Sequence, residues 1–171
     1  MTQTPPTSVV EDLPRDKVQR FDHELAEVLK RYPPDRKASA MLPALRLGQE
    51  LFGHLSPAVQ HLAADRLGTS PARAEEVATF YVMFHTKPVG RHLVEVCTNV
   101  SCCLSGAERL YEHLRRKLGV ENGGTTADGK FPLREVECLG ACGTAPAMLV
   151  DEEMYERLTP AEVDRILGSL E

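Results

Sequence analysis

The sequence predicts an α/β chain: an N-terminal helical bundle followed by a β-α-β-β-β-α domain. Three observations predict it. Apolar residues recur at three- and four-residue steps through the first half. Beyond Gly90 that rhythm gives way to short runs rich in β-branched residues. All five cysteines fall in this second part, in two knots, "CTNVSCC" (Cys97 to Cys103) and "CLGAC" (Cys138 to Cys142).

The first helix is expected from Asp16 to Tyr32, where Val18, Phe21, Leu25, Val28, Leu29 and Tyr32 form one stripe; Pro33-Pro34 stops it. A second covers Ala38 to Phe52, with Pro43 near its first turn or at a kink, and Gly53 at its end. Ser56-Pro57 and Ser70-Pro71 each read as a cap followed by proline at the first helical position. Val59, Leu62, Ala63 and Leu67 line the helix opened by the first pair, and Gly68 closes it. The second pair opens a helix carrying Ala74, Val77, Ala78 and Tyr81. His92 to Val96 is then expected as a strand, Gly106 to Leu118 as a helix, and Leu133 to Glu137 and Ala147 to Val150 as strands. A short fourth strand is expected at Met154-Tyr155. "TPAE" at Thr159 is a capping box for a last helix with Val163, Ile166, Leu167 and Leu170 inward. A strand–helix–strand unit followed by a hairpin and helix is the thioredoxin-like order. The chain therefore divides into a flexible tail (1–14), a helical domain (15–87) and a thioredoxin-like domain (88–171). If the first two strands are parallel neighbours, the cysteine loops that follow them meet at one end of the sheet.

Composition narrows the function. The chain has 171 residues and a net charge of −5, with both signs mixed throughout, which speaks against nucleic acid and membrane surfaces as partners. No apolar run approaches the roughly 20 residues of a membrane span. The start, "MTQTPPTSVVEDLP", lacks the basic and apolar regions of a signal peptide, so a reducing cytosol is expected. Clustered cysteines there bind metal or do redox chemistry more often than they form structural disulfides.

Four uses of the thiols compete. Thiol–disulfide chemistry favours C-x-x-C at a helix start, but the spacers here are four residues (Cys97 to Cys102) and three (Cys138 to Cys142). A structural zinc site favours two-residue spacers, because a knuckle wraps one small ion. Buried cysteines can act as small apolar residues, yet two glycine-flanked groups are too many for that alone. A 2Fe–2S core is larger than one ion and takes four thiolates, two on each iron. Cys97 with Cys102, and Cys138 with Cys142, match that demand. Gly140 and Gly143 would let backbone N–H groups approach the sulfurs, and the start of the helix at Gly106 would turn its positive end to the anion. Spacing alone leaves open whether Cys102 or Cys103 is the spare thiol.

Three stretches carry a family resemblance. They are "YPPDRKASAMLPALRLGQELFGHLS", "EEVATFYVMFHTKPVGRHLVEVCTNVSC" and "VECLGACGTAPAMLVDEEMYERLTP". The chain resembles, over about residues 31 to 159, the small thioredoxin-like 2Fe–2S subunit of the NADH-oxidising module of respiratory complex I. The resemblance implies one 2Fe–2S cluster on Cys97, Cys102, Cys138 and Cys142, which leaves Cys103 spare. It implies an electron carrier with no catalytic residue of its own, inside an NADH:quinone oxidoreductase. The partner implied is the flavin- and NADH-binding subunit, with no nucleic acid and no direct membrane insertion. The place implied is the cytoplasmic face of the inner membrane, reached through the complex. Related subunits serve NAD-linked hydrogenases and formate dehydrogenases, and the motifs do not separate these assemblies.

Other stretches read more plainly. Ala58 to Phe80 could be a helix-turn-helix of a redox-sensing DNA-binding protein, but Glu75 and Glu76 on the second helix would repel phosphates. "FYVMF" (Phe80 to Phe84) is expected to pack as core, the alternative being a surface shared with the flavin subunit. No histidine has a partner at ligand spacing. A solvated Glu112–Arg116 pair is expected on its helix at i,i+4.

Overall fold

The structure, a computed structural model, describes residues 12–170. The expected tail lies outside the described residues except for 12–14, which precede the first helix as turn and extended chain. The chain forms two compact units that divide between Val89 and Gly90.

The first unit is a bundle of α1 (Arg15–Leu29), α2 (Met41–Phe52), α3 (Pro57–Leu67) and α4 (Pro71–Phe80). Residues Pro34–Ala40 form a 3₁₀ segment where the sequence suggested the start of α2, so Pro43 falls in the first turn of α2 and kinks nothing. Both Ser-Pro starts appear: Ser56 accepts from the Val59 N–H at 3.4 Å and Ser70 from the Arg73 N–H at 3.3 Å. Gly53 ends α2 with φ +83°, a backbone that costs side-chain-bearing residues dearly. Phe21, Leu25, Leu45, Leu55, Val59 and Leu62 build the core, each Leu contributing about 1.5–3 kcal/mol through burial.

The "FYVMF" segment departs from expectation. Phe80, Val82 and Met83 are 77, 72 and 52% exposed, and only Phe84 is buried. The reason is that α4 ends at Phe80 and the chain then turns. Gln49 receives the turn, donating to the Met83 carbonyl at 3.0 Å and accepting from the His85 N–H at 2.6 Å.

The second unit runs β1 (Val94–Cys97), α5 (Val100–Leu104), α6 (Ala107–Leu118), β2 (Leu133–Val136), β3 (Met148–Val150), β4 (Glu153–Tyr155) and α7 (Pro160–Ser169). Sheet order is β2-β1-β3-β4. Strand β1 pairs parallel with β2, Val94 opposite Leu133 and Cys97 opposite Val136. It pairs antiparallel with β3, which forms a hairpin with β4. Val94, Val96, Met148 and Val150 share a core with Leu110, Tyr111 and Leu114 of α6 and Val163, Ile166 and Leu167 of α7. Glu95, between two of these valines, is 8% exposed and accepts from Arg134 Nε at 2.8 Å. The capping box of α7 is closed both ways by Thr159 and Glu162. On α6, Glu112 pairs with Arg115 at i,i+3, where the sequence suggested Arg116, and Arg115 also reaches Glu121 beyond the helix end.

Candidate metal centre

Because β1 and β2 are parallel and in register, the segments leaving their C-terminal ends emerge side by side. Each carries one cysteine knot. Cys97 is the last residue of β1 and is 2% exposed. The chain after it does not stay a loop, as the sequence suggested. Asn99 caps α5, accepting from the Val100 N–H at 2.9 Å, and this five-residue helix turns Cys102 inward at 3% exposure. Val100 and Leu104, one turn apart on α5, are left 70 and 86% exposed. The helix that would turn its positive end to the thiols, α6, therefore starts beyond α5, with Gly106 at φ +98° as its cap.

The second knot is different. Cys138 follows β2 in irregular chain and Cys142 opens a 3₁₀ turn, Cys142–Thr144. Both are exposed, with their sulfurs 3.6 Å apart. The Gly140 N–H donates to Cys138 Sγ at 3.4 Å, and φ +82° at Gly140 makes that turn possible. A Cβ built at Gly140 or Gly143 meets no protein atom within 4 Å. Backbone conformation, not crowding by the protein, is what calls for glycine at 140.

The two knots share one neighbourhood. Leu139 and Ala141 from the second pack on the small apolar cluster of Cys97, Cys102, Ala107 and Ala147. Burial pushes the Cys97 thiol up, but the backbone N–H groups of Asn99 and Leu139 and a hydrogen bond from Cys102 outweigh it, and the thiol lies below its ordinary value. Cys102 is raised, first by burial and then by its bond to Cys97; the Cys142 sulfur adds to this. Cys103 turns away to donate to the Thr98 carbonyl at 3.0 Å, and burial together with Glu108 raises it.

All five cysteines are free thiols. Among the described residues, no three His, Cys, Asp or Glu side chains converge as a single ion would need. Four thiols spread over two adjoining segments, with the Gly140 N–H already donating to the Cys138 sulfur, suit a group larger than one ion. Thiolate sulfur is also the donor that iron–sulfur cores take. The residues present therefore fit a 2Fe–2S cluster. Sequence reasoning missed the capping role of Asn99, although asparagine before a short apolar run is a helix-start signal.

Residues 25–171 match the family described as Thioredoxin-like [2Fe-2S] ferredoxin. The chain is 45% identical over 146 residues to a component of the NADH-quinone oxidoreductase of Rhizobium meliloti (strain 1021), covering 85% of this chain and 86% of that protein. It is 42% identical to the corresponding NADH-quinone oxidoreductase component of Rickettsia bellii (strain RML369-C), covering 84% and 87%. Among solved structures it resembles an NAD+-reducing [NiFe]-hydrogenase in the H2-reduced state, with a TM-score of 0.68 and 24% identity over 79% of this chain. Only 22% of that hydrogenase chain is spanned, and the likeness is one of fold.

Proposed function

This chain belongs to the thioredoxin-like [2Fe-2S] ferredoxin family, and on that premise we propose that it is the iron–sulfur electron carrier of an NADH-quinone oxidoreductase. Its relatives at 42–45% identity over most of their length carry that complex's name. In this reading it is a non-catalytic part of the enzyme and docks beside the flavin- and NADH-binding subunit. In this reading attachment at the cytoplasmic face runs through the complex; no helix among the described residues is long and apolar enough to cross a membrane.

Cys97, Cys102, Cys138 and Cys142 are the proposed ligands. A bound 2Fe–2S cluster supplies one-electron transfer, with all-cysteine plant-type centres lying near about −400 mV. The chain's own residues do the rest. Cys97 and Cys102 offer sulfurs from inside the fold, where Ala107 and Ala147 keep water away. Cys138 and Cys142 offer theirs at the surface, where a redox partner can approach. The Gly140 N–H donates to the Cys138 sulfur and stabilises its negative charge. Cys103, bonded to Thr98, is the spare thiol.

The observation that carries this reading is the pairing of β1 with β2, which sets both cysteine segments at one end of the sheet. Iron, acid-labile sulfide and zinc analysis of the purified chain tests it. A brown protein with two irons and two sulfides supports the reading. A colourless chain that holds one zinc after anaerobic reconstitution ends it.

A further inference from the structure

We propose that Asn99 and Glu137 form a clasp that sets the spacing between the two thiol pairs, making them positioning residues for the cluster site. The proposal rests on the ligand reading above. Asn99 uses both ends of its amide. Its Oδ1 accepts from the Val100 N–H at 2.9 Å and so starts α5, the helix that carries Cys102. Its Nδ2 donates to Glu137 Oε2 at 3.3 Å, and Glu137 is the residue immediately before Cys138. One side chain thus holds the first segment in helical form and reaches across to the second.

An exposed polar contact contributes little to overall stability. Its value here is positional. Ligands to a metal are held in register by partners one bond removed, and losing such a partner costs about 10–100-fold in affinity or activity. Cys138 needs that help more than Cys97 does, because it leaves the sheet on irregular chain while Cys97 ends a strand. Glu137 also places a carboxylate next to Cys138 in the chain. A carboxylate there opposes the arrival of an electron, so glutamine at 137 should keep the bond and raise the midpoint potential.

The test uses the full chain loaded with iron and sulfide, in four variants: Asn99→Ser, Glu137→Ala, the double variant and Glu137→Gln. Serine still caps a helix but lacks the amide donor, so Asn99→Ser separates clasp from cap. Iron loss to a chelator should be about 10-fold faster in Asn99→Ser and in Glu137→Ala, by analogy with other partners one bond removed from a metal. The double variant should lose iron no faster than either single one. Glu137→Gln should lose iron at the wild-type rate, with a higher midpoint potential and an unchanged EPR line shape. Iron loss from Asn99→Ser at the wild-type rate overturns the clasp. So does a double variant whose effect is the product of the two singles, or a Glu137→Gln chain as leaky as Glu137→Ala. These outcomes are read on iron-loaded protein. A wild-type chain that takes up no iron and sulfide overturns the ligand reading instead.

Discussion

The two cysteine segments have the same job in the proposed site but are built by different means. Cys97 and Cys102 belong to the core: one ends a central strand, the other is the inward residue of a capped helix, and both are nearly inaccessible. Cys138 and Cys142 are exposed and held by a left-handed glycine, a backbone N–H to sulfur and a 3₁₀ turn. The first proposed pair is already buried within the fold. The second pair sits at the surface, where binding of the proposed cluster is expected to add more order than at the buried pair. One half gives shielded sulfur and the other gives access, and the proposed electron carrier needs both.

The largest effect that could break this contrast comes from the ligands themselves. Serine at 97, 102, 138 or 142 should each abolish or strongly alter the visible and EPR spectra of the reconstituted protein. Equal spectra for any of the four and the wild type would remove that residue from the set. Metal removal should separate the halves next. Hydrogen exchange after chelation should speed up far more over residues 138–144 than over 94–97, because the strand keeps its sheet partners. Equal loss of protection in both would mean that the first half is not prebuilt.

In the metal-free chain the same substitutions should diverge. Cys102→Ser buries a hydroxyl among Cys97, Ala107 and Ala147 and should cost about 1–3 kcal/mol by denaturant unfolding. Cys142→Ser, at an exposed site, should stay within about 0.5 kcal/mol. Gly140→Ala should cost about 1–2 kcal/mol, since φ +82° opposes any Cβ although space around it is open. The smallest effect belongs to Cys103→Ser. It should leave the spectrum unchanged, because a serine hydroxyl can replace the thiol on the Thr98 carbonyl.

Legibility followed the range of the interaction. The Ser-Pro starts at 56 and 70, the glycine ends at 53 and 68 and the capping box at 159 are written within a few residues of one another, and the structure reproduces them. Helix α5 was missed because "VSCCL" has neither the length nor the propensity to announce a helix. Its warrant is the Asn99 cap together with the inward packing of Cys102 on Ala107 and Ala147. The exposure of Phe80 to Met83 was misjudged for a related reason. An apolar run carries no sign of which way its chain will turn, and Gln49, more than thirty residues earlier, receives that turn.

By itself the sequence determined the helical first part, the strand and helix order of the second, and a cysteine pattern with the spacing of a cluster-binding family. These depend on local periodicity, capping and motif spacing, which the chain carries wherever it folds. Only the tertiary structure decided that one thiol pair is buried and the other exposed, and that Asn99 faces Glu137 across the gap. Those facts come from the parallel pairing of two strands about forty residues apart, a long-range contact that no short stretch encodes.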